Sequence, residues 1–300
     1  MMTPATPPAL KLIDDVEMPA IGLGVFQSPP EETLTAVETA LRDGYRLIDT
    51  AAAYDNEREV GEGIRRSGVP REEIFVTTKL WISDYGYDAA QVGFEASLRR
   101  LGLDHVDLYL LHQPVPTHFE DTTAAYKAAE TFLGDGRARA IGVSNFSSQH
   151  LRRLTDRTDV VPAINQVELH PYFTQAALRE AHAELGIVTQ AWSPLGGVLV
   201  YVPGADESRG PLTDPVITEL AAKYGKTPAQ TVLRWHIEHG FGAIPKSVKP
   251  HRIAENFGVF DFALEAEEVA AIDALDTGVR GGPDPEQLSM DTYPKVVDNA

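Results

Sequence analysis

The chain contains no cysteine, so disulfides, a thiolate nucleophile and a zinc-thiolate site are all excluded. Cationic residues are scarce: 26 Lys and Arg stand against 44 Asp and Glu, a formal net charge of -18. A surface of that sign repels nucleic acid and anionic membranes. No apolar run is long enough to span a bilayer, and the opening MMTPATPPAL lacks the basic-then-apolar order of a secretory leader, so the expected setting is cytoplasmic. No Gly-x-Gly-x-x-Gly follows a strand-like run, which removes a Rossmann site. What is there is 300 residues, 43% hydrophobic, enough to bury a large core as two ordinary domains or as one α/β barrel.

Eight strand-like apolar runs decide between those two: 20–26, 45–51, 74–80, 106–112, 138–144, 162–169, 187–193 and 242–248. Helical segments separate them, at 30–44, 56–67, 88–101, 120–134, 147–155, 174–185, 214–239 in two pieces, and 250–257. In the first of these, Leu34, Val37 and Leu41 recur at helical spacing and a glycine closes the segment. Strict alternation implies a parallel sheet with right-handed crossovers, and eight units is the number that closes. The expected fold is α/β, a single-domain (β/α)8 TIM barrel over residues 1–300, preceded by a small hairpin turning at Asp14 and Asp15. Residues 1–9 read as a loose end. Residues 194–213 and the tail 276–300 are longer than connections require, and the tail is expected over the carboxyl ends of the strands.

Those strand ends carry polar residues. Asp49 ends the second strand with Tyr54 on the loop beyond it, Lys79 ends the third, His112 the fourth, and Ser144 with Asn145 the fifth. Gln166 lies on the sixth, Trp192 on the seventh and Lys246 on the eighth. Taken singly, each has a plainer role: a solvated lysine, a hydrogen-bonded structural histidine, an Asn145 that caps the helix starting at 147. Collected on one rim, they sit where barrel catalysis sits. A phenol with a pKa of about 10 exchanges its proton poorly near neutrality, but an ammonium beside it favours the phenolate, and a carboxylate keeps that ammonium charged. Tyr54, Lys79 and Asp49 suit those parts, with His112 free to hydrogen-bond a substrate oxygen. Neither a strong nucleophile nor a metal cage accompanies them, so a proton donor of this kind needs a hydride carrier as partner.

IPKSVKPHRIAEN, residues 244–256, gathers Lys246, Lys249, His251 and Arg252 at the start of a helix in an otherwise acidic chain. Helix amino termini and cations after the last barrel strands suit phosphate, although any one of these residues alone reads as a solvated basic turn.

GYRLIDTAAAYDNEREVG, VTTKLW, DLYLLHQP, IGVSNF, INQVELHP, WSPLG and IPKSVKPHRIAEN, in this order, resemble the aldo-keto reductase family over nearly the whole chain, with closest flavour to bacterial diketogluconate reductases. The resemblance implies NADPH-dependent reduction of aldehydes or ketones to alcohols, with Asp49, Tyr54, Lys79 and His112 as catalytic tetrad and Tyr54 as proton donor. It implies that Ser144, Asn145 and Gln166, with Asp49, hold the nicotinamide end and that Trp192 stacks on the ring. Ser193, Leu195 and Gly197 would line the pyrophosphate, Lys246, Ser247, Val248 and Arg252 the 2'-phosphate, and Glu255 with Asn256 the adenine. Phe26, Tyr54, Trp81, His112 and Gln113 would form the substrate pocket, for a small carbonyl compound handled by a monomer without metal. Gln113 stands where many relatives have tryptophan, and Trp192 where many have tyrosine. The rival reading is a nucleotide-binding, non-catalytic relative with a regulatory or structural role; a complete tetrad and the absence of a partner-binding extension speak against it.

Overall fold

The structure is a computed structural model, and it describes residues 8–197 and 210–299. Strands β1 (Ala9–Lys11) and β2 (Glu17–Pro19) form an antiparallel hairpin around a short 3-10 turn at Ile13–Asp15. The expected loose end therefore stops before Ala9, which pairs with Pro19; residues 1–7 lie outside the described residues. Eight parallel strands follow and neighbour one another in chain order: β3 (Leu23–Gly24), β4 (Leu47–Asp49), β5 (Phe75–Leu80), β6 (Val106–Leu111), β7 (Ala138–Ser144), β8 (Ile164–Glu168), β9 (Val188–Trp192) and β10 (Gly242–Ala243). The last strand returns to the first. Ile21 bridges Ala243, Gly24 bridges Lys246, and the Gly22 N–H donates to the Ala243 carbonyl at 3.0 Å, closing a (β/α)8 barrel. Glycine makes that seam possible: a Cβ on Gly22 would lie 1.7 Å from Leu47 Cδ2, and one on Gly24 2.9 Å from the Ile244 carbonyl oxygen.

Side chains alternate across each strand, and the two faces fill two cores. Ile48, Val76, Tyr109, Leu111, Ile141, Val143 and Val167 join the core between sheet and helices. Leu47, Phe75, Leu108, Leu110, Ala140, Ile164 and Ile244 form a second core inside the barrel, closed by Leu12 and Met18 of the hairpin. Period two then puts Asp49 above Leu47, Lys79 above Phe75, His112 above Leu110, and Gln166 above Ile164. An apolar plug fills the lower barrel and supports a polar layer at the strands' carboxyl ends.

The helices are α1 (Pro30–Arg42), α2 (Glu57–Ser67), α3 (Tyr87–Leu101), α4 (Phe119–Gly134), α5 (Ser148–Thr155), α6 (Ala176–Leu185), α7 (Pro215–Tyr224), α8 (Pro228–Glu238), α9 (Pro250–Phe257) and α10 (Ala266–Asp273). Local chemistry sets their ends. Thr227 and Gln230 make a reciprocal capping box at α8, and Ser147 with His150 does so at α5. Sequence reasoning missed α10, which buries only Ile272 and so carries little helical periodicity. It is held from outside, where Asp273 accepts the indole N–H of Trp235 at 2.9 Å and Glu268 accepts the Tyr224 hydroxyl at 2.5 Å.

Candidate active site

Asp49 ends β4, and the chain beyond it is tied down before it reaches Tyr54. The Thr50 hydroxyl donates to Asn56 Oδ1 at 2.8 Å, and Asn56 Nδ2 donates to the Val25 carbonyl at 2.9 Å, anchoring the loop to β3. Asp55 takes the left-handed conformation with φ 56°, which turns the chain back into α2 after the 3-10 turn Ala52–Tyr54. The phenol is thereby aimed at the barrel axis. Lys79 Nζ lies 2.5 Å from Asp49 Oδ1, 2.8 Å from the Thr50 carbonyl and 3.5 Å from the Tyr54 hydroxyl, and both members of the ion pair are buried, at 0% and 1% exposure. Burial pushes the Asp49 carboxyl up and the Lys79 ammonium down; each is the main counterweight for the other.

His112 packs edge-on against Tyr54 and Trp81, with ring centres 5.5 Å and 5.1 Å away. Burial and the nearby Lys79 charge hold its pKa well below the ordinary range, so the imidazole is neutral. Its Nδ1 is buried with no hydrogen-bond partner among the described residues. Phe26 meets Tyr54 edge-on at 5.1 Å and is 37% exposed, forming the outer wall.

On the opposite side, Gln166 Nε2 donates to Asp49 Oδ2 at 2.7 Å and to Gln190 Oε1 at 2.8 Å, a buried polar chain across the barrel. Ser144 Oγ donates to the Gln166 carbonyl at 2.7 Å. Asn145, at φ 67°, does not cap α5; that position belongs to Ser147. Instead Asn145 Nδ2 donates to the His112 carbonyl at 3.0 Å, and its Oδ1 accepts the Trp192 indole N–H at 2.8 Å. The indole N–H, which a tyrosine ring would lack at that point, anchors the aromatic wall to Asn145.

These groups line one cavity of about 850 Å³, together with Gln113, Ser193, Leu195, Gly197 and Lys246. Lys79 lies beneath it. Ser247, Val248, Arg252, Glu255 and Asn256 fall outside the lining, the first two on the loop before α9, Arg252 in its first turn and Glu255 with Asn256 in its last. Lys246, Lys249, His251 and Arg252 are exposed there, and Lys246, Lys249 and Arg252 have no ion-pair partner among the described residues. Ser247 Oγ accepts the Lys249 N–H at 3.1 Å, and Glu255 accepts the Thr227 hydroxyl at 2.9 Å. The shape and donor set suit a dinucleotide: a buried polar floor, an aromatic face at Trp192 and, at the far end, exposed cations without an ion-pair partner among the described residues. Most of the loop 194–213 lies outside the described residues.

Several contributors were missed from sequence. Pro283, Leu288, Thr292, Tyr293 and Lys295 of the tail line the cavity, and the Trp81 indole N–H donates to the Lys295 carbonyl at 2.9 Å. Tyr85 accepts the Gln113 N–H at 3.1 Å and donates to its carbonyl at 2.6 Å, fixing the backbone of Gln113 at the mouth. The length of the tail was the only signal available for its residues, and Tyr85 carried none.

Residues 20–277 match the sequence pattern of the Aldo/keto reductase family. Morphine 6-dehydrogenase of Pseudomonas putida is 54% identical over 292 residues, covering 97% of this chain and 98% of its own. Methylglyoxal reductase DkgA of Escherichia coli is 47% identical, covering 95% and 99%. Among solved structures, a Bombyx mori aldo-keto reductase in complex with NADP superposes with a TM-score of 0.86 at 37% identity, over 97% of each chain.

Proposed function

The chain belongs to the aldo/keto reductase family, and we propose that within it Tyr54 is the proton donor of an NADPH-dependent carbonyl reduction, tuned by the Lys79–Asp49 pair. The protein is an NADP-dependent oxidoreductase that converts aldehydes or ketones to alcohols. NADPH, when bound, supplies the hydride taken up by the carbonyl carbon. The chain's residues supply the rest. The carbonyl oxygen meets the Tyr54 hydroxyl, which gives up its proton as negative charge develops on that oxygen. Lys79 favours that release because its positive charge lies against the phenol oxygen, and Asp49 keeps the ammonium charged and aimed. Neutral His112 orients the oxygen by hydrogen bonding and, being neutral, does not compete as an acid. Ser144, Asn145 and Gln166 would hold the carboxamide of the nicotinamide, Trp192 its ring, Ser193, Leu195 and Gly197 the pyrophosphate, and Lys246, Ser247, Val248 and Arg252 the 2'-phosphate end. Glu255 and Asn256 would take the adenine. Phe26, Trp81 and Gln113 wall the substrate.

One observation supports this above the others: a fully buried lysine fixed by a carboxylate and a carbonyl, 3.5 Å from a cavity-lining phenol. A structural ion pair has no need of a tyrosine opening onto an 850 Å³ cavity. The relative named for methylglyoxal points to a first assay. Adding methylglyoxal to protein and NADPH should remove the absorbance of the reduced nicotinamide. No loss with methylglyoxal or with a panel of simple aldehydes, while NADPH still binds, would favour the non-catalytic rival.

A further inference from the structure

The strand pair β8–β9 carries a charged side chain that is neither among the catalytic groups nor among the proposed cofactor contacts. Glu168 ends β8 directly opposite Trp192, the last residue of β9, and its side chain has 0% exposure. Its carboxylate is filled by four partners. Oε1 accepts the Gly281 N–H at 2.8 Å and faces His170 Nε2 at 3.2 Å; Oε2 accepts the Gly282 N–H at 2.9 Å and lies 3.6 Å from Arg280 Nη1. Burial alone would raise its pKa, but the His170 and peptide N–H bonds outweigh that and hold it below the usual range, so the group is a carboxylate. Gly281 and Gly282 belong to the tail, at the point where it turns over the cavity towards Pro283.

Gly282 connects this anion to the aromatic face. A Cβ there would lie 2.5 Å from Trp192 Cη2 and 2.8 Å from Glu168 Oε2, so the tail backbone packs directly on the indole. Its φ is outside the left-handed region, so the ring and the carboxylate, not backbone conformation, exclude a side chain. The indole is thus held at two places: by the tail at the six-membered ring, and at its N–H by Asn145 Oδ1.

We propose that Glu168 is a positioning residue: its buried carboxylate clamps the Gly281–Gly282 peptides onto Trp192 and so fixes the plane of the indole on which the nicotinamide is to stack. This rests on the reading of Trp192 as the cofactor face. Clamp and indole belong to the protein without cofactor, so the first readout needs none. Glu168→Gln keeps the volume but offers one acceptor oxygen and an NH2 donor, leaving one glycine N–H against another donor. Losing a charge-assisted bond in this way corresponds to about tenfold or more in an equilibrium.

The test compares wild type, Glu168→Gln and Gly282→Ala. Hydrogen exchange on the cofactor-free proteins should rise at least tenfold across residues 278–284 in Glu168→Gln while the barrel strands keep their protection. NADPH titrated against intrinsic fluorescence should then show Kd raised about tenfold in both variants, because Gly282→Ala displaces the same ring without altering the charge. Melting temperature is recorded alongside. Faster tail exchange or a lower melting temperature with an unchanged NADPH Kd would make Glu168 a structural strut and overturn the proposal, as would unchanged exchange. If wild type itself fails to bind NADPH, it is the cofactor reading that fails, and the exchange data still decide whether the clamp exists.

Discussion

The proposed function draws on two cationic regions that stand under opposite conditions. Lys79 is fully buried, against a carboxylate equally buried, in the polar layer above the barrel plug. Lys246, Lys249 and Arg252 stand in solvent around the start of α9, with no carboxylate partner among the described residues. The buried charge is positioned in advance, and the surrounding fold offsets its desolvation. The exposed charges cost the fold little and, in the proposed function, acquire a partner when the 2'-phosphate of NADPH arrives. Substitution in the first region should therefore strike turnover and stability together, and substitution in the second should change cofactor affinity alone and in a salt-dependent way.

The largest effect is expected at the buried pair. Lys79→Met leaves Asp49 buried without its cation and Tyr54 without its tuning charge. Turnover should fall by a factor on the order of 100 to 10,000, the usual range for losing general acid catalysis. Stability to urea should fall by about 3–5 kcal/mol, as for a broken buried ion pair. If the variant kept the parent's pH-rate profile, Lys79 would not be the tuning group.

At the exposed island, the preference for NADPH over NADH should be on the order of 30-fold to 1000-fold, about 2–4 kcal/mol for wet charge-assisted bonds to the 2'-phosphate. Arg252→Ala should lose NADPH affinity selectively with its melting temperature unchanged, and added salt should shrink the wild-type preference. An unchanged ratio of the two dissociation constants in the variant would refute the assignment.

Gln113→Trp sits between the two regions, at the mouth. It should move specificity towards apolar aldehydes by about 1–3 kcal/mol in the ratio of kcat/KM values, since a substrate polar group left without its amide partner costs about that much. Equal ratios in parent and variant would mean that the amide does not meet the substrate.

These assignments were legible in unequal measure. The eight strands announced themselves as largely apolar runs alternating with helical segments, whereas the facing of Leu47 towards the barrel interior and Ile48 towards the helices emerges only in the structure. Strands β3 and β10 are far shorter than their runs, since the seam is made by close backbone approach at Gly22 and Gly24. Tyr54, Lys79 and Asp49 could be grouped because each lies at or just beyond a strand end. Glu168 could not be placed: its partners at Gly281 and Gly282 lie 113 and 114 residues away, and a glutamate ending a strand carries no sign of what will cover it. The tail's contribution has the same origin, a fold-level contact with no local pattern.

Two histidines outside both regions should set part of the pH dependence of stability. His182, between Asn165 and Thr189, has its pKa pushed down by burial to about 4, and His236, on the Pro194 carbonyl, to about 3. Both stay neutral in the fold while the unfolded chain binds protons below about pH 6.5, so their contribution is complete above that pH and is lost as pH falls towards those values. Stability should drop by about 1.4 kcal/mol per pH unit for each within that window, and His182→Gln should remove one share of the slope. An identical slope in the variant would mean that His182 titrates as it does in the unfolded chain.

Tyr54→Phe isolates the proton donor, with NADPH binding and methylglyoxal reduction measured on the same sample. Removing one oxygen leaves the ring, the Lys79–Asp49 pair and the cavity in place, and removes only the proton. NADPH should bind within about twofold of wild type, while turnover falls by a factor on the order of 100 to 10,000. A variant that keeps most of its rate would show that the proton comes from elsewhere, and the role assigned to Tyr54 would fall.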